Sequence, residues 1–133
     1  RGGIFLIGNT YTHRLTDTED KLASTVGSGL LRVFATPAMI AAMEQAACGA
    51  LEPFLQEGQT SVGTALQIEH TAPTPLGMEV EVTATITAVE GRRVDFTVEA
   101  RDAVGSVGHG THSRFLVDAV RFQEKADRKG GRV

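Results

Sequence analysis

The stretch Thr36–Leu55, TPAMIAAMEQAACGALEPFL, decides the fold. Thr36 is a favoured N-cap, and Pro37 suits the first helical position. Good helix formers follow from Ala38, and only Gly49 and Pro53 interrupt them. The spacing predicts one long helix that Pro53 ends or kinks, with Gly58 as its stop. Beyond it the period changes to two. Val62, Thr64, Leu66, Ile68 and His70 share one parity, which reads as a strand with one apolar face. After the rigid loop Ala72–Gly77, the apolar residues Met78, Val80, Val82, Ala84, Ile86 and Ala88 alternate with acids and threonines. Glu90-Gly91-Arg92 marks a hairpin, and Val94, Phe96, Val98 and Ala100 continue the alternation. Asp102–Gly105 makes a second turn. A last strand is predicted from about Ser106 to Phe122, bent or bulged near Gly108 and Gly110.

The order is an irregular start, one apolar helix, then four consecutive antiparallel strands. Such a sheet must cover its apolar face, and one long helix is available to do so. The prediction is an α+β chain whose sheet wraps that helix. Its open sheet edges favour association into a dimer. The 133 residues make one domain. It is read as residues 10–123, with 1–9 an irregular start or vector remnant and 124–133 a polar, frayed tail.

Thirteen basic against sixteen acidic residues give a net charge of −3, which argues against a nucleic-acid binder led by phosphate contacts. No run approaches the roughly 18–20 apolar residues of a membrane helix. The start lacks the pattern of a secretory signal. The single cysteine, Cys48, excludes an internal disulfide and a Cys-x-x-Cys zinc site, and fits a reducing cytoplasm.

Glu44 is the residue that does not fit its surroundings. On a helical wheel Ile40, Ala47, Cys48, Leu51 and Leu55 all fall within about 60° of it. A carboxylate in an apolar stripe is desolvated, which raises its pKa and marks a general base or nucleophile facing a cleft. His70 closes the apolar face of its strand and can converge on Glu44 between helix and sheet. Thr36 is the N-cap, at a helix end whose amides suit a carbonyl oxygen developing charge. His109 and His112 lie on opposite faces of a strand and make no metal pair. Cys48 is read as a small core residue.

Five motifs, in order and spacing, carry a family resemblance. They are Val33-Phe34-Ala35-Thr36-Pro37, Met43-Glu44-Gln45-Ala46-Ala47-Cys48, Ser61-Val62-Gly63-Thr64 leading to His70-Thr71-Ala72-Pro73-Thr74-Pro75, Glu90-Gly91-Arg92-Arg93, and Gly110-Thr111-His112-Ser113-Arg114. Over about Val33–Phe122 the chain resembles the hot-dog-fold acyl-CoA thioesterases, within them the fluoroacetyl-CoA thioesterase-like group. The resemblance implies a hot-dog fold and hydrolysis of an acyl-CoA thioester. The family's catalytic Thr, Glu and His fall on Thr36, Glu44 and His70. Its substrate-contacting Gly and Arg fall on Gly63 and Arg114.

No cofactor and no metal are implied, CoA being part of the substrate. Arg92, Arg93, Lys125 and Arg114 are candidates for its phosphates. A homodimer is implied, with a tetramer as the further option; no nucleic acid or membrane partner is expected. The fluoroacetyl-specific enzymes look to carry bulky aromatics just before the Phe-Ala-Thr segment, whereas Val26–Leu31 here has none. The acyl group therefore stays open. Two other readings remain: a hot-dog enoyl-CoA hydratase or dehydratase, which also pairs His with an acid, and a non-catalytic acyl-CoA sensor that would bind CoA esters without turnover.

Overall fold

A computed structural model of the chain describes residues 7–132. Five strands, β1 (Thr10–Thr16), β2 (Gln59–His70), β3 (Glu79–Glu90), β4 (Arg93–Arg101) and β5 (Ser106–Asp118), form one antiparallel sheet in the order β1-β3-β4-β5-β2. The helices are a single turn α1 (Ala23–Val26), the long α2 (Thr36–Leu51) and a terminal α3 (Ala119–Lys129). No helix among the described residues is long and apolar enough to cross a membrane.

The alternation of β3 and β4 becomes the core. Val82, Ala84 and Ile86 pair with Ala100, Val98 and Phe96, and all six are buried against α2. Burying one such aliphatic side chain contributes roughly 1.5–3 kcal/mol. From α2, Met39, Ala42, Met43, Ala46, Ala47, Ala50 and Leu51 are buried. The small residues among them let the sheet come close. The helix ends at Leu51, short of the predicted stop, because Pro53 has no amide to continue the ladder; Glu52–Phe54 form a 3-10 turn instead.

Several expectations are corrected. The start of the domain holds a fifth strand, β1, paired to β3 from Thr10↔Thr85 to Thr16↔Glu79. Gly8 and Asn9 also bond to Ile86, and Asn9 Nδ2 donates to Ala50 O at 2.8 Å, so these two residues, placed before the predicted boundary, are bonded to the sheet and helix. The rest of the predicted irregular start, residues 1–6, lies outside the described residues. The last strand ends at Asp118, not Phe122. Asp118 caps α3 by accepting from the Arg121 amide, so most of the predicted frayed tail is helical. Thr36 is not the N-cap. Ala35 holds that position and Thr36 opens the first turn.

Strand parity also switches where registers shift. In β2 the ladder passes from Gly63↔Arg114 to Ala65↔Ser113, leaving Thr64 as an extra residue. Gly63 therefore shares the helix-side face with Leu66, Ile68 and His70, and Val62 and Thr64 do not. In β3 a shift at Thr87 likewise replaces Ala88 by Val89 on the core side. Of the two glycines expected to bend the last strand, Gly108 sits beside the shift between Ala100 and Arg101. Gly110 pairs regularly with Ile68 and Val98.

Gly110 keeps β5 and β2 in contact. A Cβ there would collide with the Gln67 carbonyl and come within 2.9 Å of Ile68 Cα. Both are backbone atoms and cannot move aside. Gly110→Ala should therefore destabilise the fold by about 1–3 kcal/mol, the usual cost of overpacking, as measured by urea or thermal denaturation.

Candidate active site

Two groups of polar side chains lie along α2, one at its start and one at its middle. At the start, the Thr36 hydroxyl is 2.7 Å from His70 Nδ1. The β2 strand delivers His70, and the loop after it is strapped to the segment preceding α2. Phe34 N donates to Thr74 O, Val33 bridges Pro75, and Thr74 Oγ1 donates to Asp102 Oδ2 at 2.8 Å. Phe34 meets the imidazole edge-on, with centroids 6.5 Å apart. Burial pushes the His70 pKa below its ordinary value, against a smaller raising effect of the Ala72 backbone. His70 Nε2 is buried and has no hydrogen-bond partner among the described residues. A cavity of about 290 Å³ opens here, lined by Ser28, Phe34, Thr36, His70 and Pro73 among others. A neutral imidazole touching a hydroxyl can take a proton from it or from a water beside it.

At the middle of α2, Glu44 is not fully buried as the wheel suggested. It stands at the margin of the buried face, its side chain 38% exposed. Its Oε2 lies 3.3 Å from Arg114 Nη1. Gly63 sits directly against it. A Cβ on Gly63 would stand 2.5 Å from Glu44 Oε2, so only glycine leaves room for the carboxylate in this position. Arg114 is only 7% exposed. Its Nε donates to Ser61 Oγ at 2.8 Å, its Nη2 to Ser61 O at 3.1 Å, and its Nη1 stands 3.1 Å from His112 Nε2. These contacts hold a flexible side chain in one orientation. Glu44, Arg114, Tyr11, His13, Gln45 and Cys48 line a cleft of about 540 Å³.

The five residues singled out from the sequence thus fall into two sets. Thr36 and His70 are together, and Glu44, Gly63 and Arg114 are together. Among the described residues no hydrogen bond joins Glu44 to His70 or Thr36, so the expected convergence of His70 on Glu44 does not occur within one chain. Cys48, read as core, is exposed in the cleft one turn beyond Glu44. Of the residues considered for CoA phosphates, Arg93 is engaged by Glu90 at 2.8 Å and Asp95 at 3.2 Å, and Arg114 is buried, whereas Arg92 and Lys125 are exposed.

Two side chains of the second set were missed, Ser61 and His112. In the sequence His112 offers itself only as a metal ligand beside His109. Among the described residues no group of three or more His, Cys, Asp or Glu could hold a metal ion. The available signal was a charged Arg114 and a His112 on the parity of β5 that faces the core.

The depressed His70 pKa has a consequence for stability. The unfolded chain binds a proton at the ordinary histidine pKa, the folded chain only at lower pH. Between those values the unfolded state holds more protons, so stability falls as pH drops below about 6.5. Urea titrations from pH 7.5 to 5.5 should show this loss, with a shallower slope for His70→Gln.

Residues 18–120 match the family model described as fluoroacetyl-CoA-specific thioesterase. The fluoroacetyl-CoA thioesterase of Streptantibioticus cattleyicolor is 44% identical over 97 residues, which are 73% of this chain and 70% of that one. A solved variant of the fluoroacetyl-CoA thioesterase FlK, in complex with acetyl-CoA, superposes with a TM-score of 0.89 at 36% identity, covering 92% of this chain and 97% of the other. A hot-dog-like protein from Thermanaerovibrio acidaminovorans gives a TM-score of 0.86 at 26% identity, covering 97% of each chain.

Proposed function

The chain belongs to the fluoroacetyl-CoA-specific thioesterase family, and from that premise we propose that its two side-chain groups act together to hydrolyse an acyl-CoA thioester. It is a thioester hydrolase of the hot-dog fold, which sets aside the hydratase and sensor readings. The observation that carries the site assignment is the Glu44 carboxylate. It is open to a cleft, held by Arg114 at 3.3 Å, and seated against a residue with no side chain.

In this reading Arg114 holds the Glu44 carboxylate in place at the cleft. Glu44 either takes a proton from a water as that water attacks the thioester carbon, or attacks the carbon itself to give a mixed anhydride that water then opens. The C–S bond breaks in both routes. The products are a free acid and CoA, whose thiolate takes up a proton. The start of α2 supplies amides and a partial positive charge for the carbonyl oxygen as it gains charge. His70, kept neutral by burial and touching Thr36, accepts and returns the proton. Neither route calls for a cofactor or metal, and a cytoplasmic location fits a single free thiol.

The active unit in this proposal is a homodimer. Strand β2 is twelve residues long and its outer edge is unpaired among the described residues, with Gly63–Gln67 all exposed. A long open edge is a template for a second copy. Thr36 and Glu44 are eight residues apart on one helix, roughly 12 Å along its axis. A reacting carbon cannot touch both across that span, and pairing two chains at β2 offers a way to join the Thr36–His70 pair of one subunit to Glu44 of the other.

Glu44→Gln should lower kcat at least about 100-fold with the fold intact, read as free-thiol release from a panel of acyl-CoAs. Near-normal turnover would sink the assignment. A mixture of Glu44→Gln and His70→Ala chains tests sharing. Random pairing makes about half the dimers mixed, each with one intact site, so about a quarter of the wild-type rate should return. Sites contained in single subunits would return none. Within the same panel, the absence of aromatics in Val26–Leu31 leads us to expect kcat/KM for fluoroacetyl-CoA and acetyl-CoA to lie within about tenfold, a difference of about 1.4 kcal/mol.

A further inference from the structure

His112 has no part in the chemistry just described, yet it is 1% exposed and touches Arg114, which lines the cleft. Three contacts fix its ring. Phe96 of β4 stacks on it with centroids 5.8 Å apart and planes 27° from parallel. Nδ1 lies 2.9 Å from the Ala65 carbonyl of β2. Nε2 lies 3.1 Å from Arg114 Nη1. A carbonyl oxygen only accepts and a guanidinium only donates, so these partners specify one protonation state. Nδ1 carries the hydrogen, and Nε2 offers its lone pair to Arg114.

We propose that His112 is a positioning residue which, as a neutral Nδ1–H imidazole, holds the Arg114 guanidinium against the Glu44 carboxylate. The chain of contacts runs from the Ala65 carbonyl through His112 and Arg114 to Glu44. The extra residue at Thr64 lies between the two parts of β2 that serve it. On one side are Ser61 and Gly63, which meet Arg114 and Glu44; on the other is Ala65, which meets His112. Ser61 holds Nε and Nη2, and Nη1 stands between two acceptors, His112 Nε2 and Glu44 Oε2, so losing the first removes the contact that fixes Nη1 beside the carboxylate. The inference rests on the reading of Glu44 as the reacting carboxylate, and its test separates the two.

Asparagine and glutamine each reproduce half of the imidazole. The amide of Asn can reach the place of Nδ1 and donate to Ala65. The amide oxygen of Gln can reach the place of Nε2 and accept from Arg114. His112→Gln should therefore retain most of kcat. His112→Asn and His112→Phe should lose about tenfold or more in kcat with little change in KM, since displacing a reacting group by an ångström costs on that order. Circular dichroism and thermal melts would show that the variants remain folded. Equal kcat for Asn and Gln, or losses that follow melting temperature alone, would overturn the role. Nitrogen-15 NMR of unliganded wild-type protein gives a readout independent of turnover. A neutral Nδ1–H tautomer is expected for His112, and an Nε2–H or doubly protonated ring would overturn the inference even if no variant folds. Wild-type hydrolysis that does not depend on Glu44 would instead overturn the reading beneath it.

Discussion

A carboxylate at the edge of an apolar helix face needs a cation, and the Arg114–Glu44 contact supplies one. Most of what distinguishes the site follows from making that contact possible. Arg114 must cross from β5 under the neighbouring strand while nearly buried, so each of its nitrogens needs an acceptor: Ser61 provides two and His112 another. An unpaired guanidinium there would cost far more than the ion pair gains. Gly63 must lack a side chain for the carboxylate to seat. The extra residue at Thr64 must then restore the parity that points His70 inward. One electrostatic requirement thus reaches across three elements.

The same requirement separates the two halves of the site. Glu44 is tied to β5 and the first half of β2, while His70, at the far end of β2, is tied to the start of α2 through Thr36. A twelve-residue strand has length enough to serve both the start and the middle of the helix, but not to bring them together. The open edge of β2 runs past both groups. In the proposed homodimer, the feature that would be a liability in a monomer lies where the second copy would complete the site.

Legibility in the sequence followed the strength of each periodic signal. β3 and β4 alternate without interruption over their buried pairs, and their extent was readable to within a residue or two. β1 was lost because only Tyr11, His13 and Leu15 carry its helix-side face, and two of these are polar-tipped. The terminal helix was lost because charged residues dominate its segment and only Ala119, Val120, Phe122 and Ala126 are apolar. The register shifts at Thr64 and Thr87 leave no local mark either, since parity alone cannot reveal an extra residue. For the site, Glu44 and His70 were visible as polar residues on apolar faces. Their separation was not, because the wheel places Glu44 at the centre of the buried face rather than at its margin. Gly63 and Arg114 came from resemblance, and Ser61 and His112 from neither source, since their importance lies in what they do for Arg114.

Thr36 shows why a local rule fails where a site is built. Its hydroxyl, in a Thr-Pro start, is the expected cap, and a side-chain cap of this kind is worth about 1 kcal/mol. In the fold Ala35 takes the capping position and offers no side-chain oxygen, while the Thr36 hydroxyl turns to His70. The helix still starts there, because Pro37 fixes the backbone angle and the buried face of α2 holds the helix by packing. Stability forgone at the cap and at the unpartnered His70 Nε2 lies at the same end of the helix as the 290 Å³ cavity. A sequence selected for stability alone would cap that helix and satisfy that nitrogen. That both are left undone at one place argues that the hydroxyl and the imidazole are kept for a reactant, and that the rigid core of β3, β4 and α2 carries the cost.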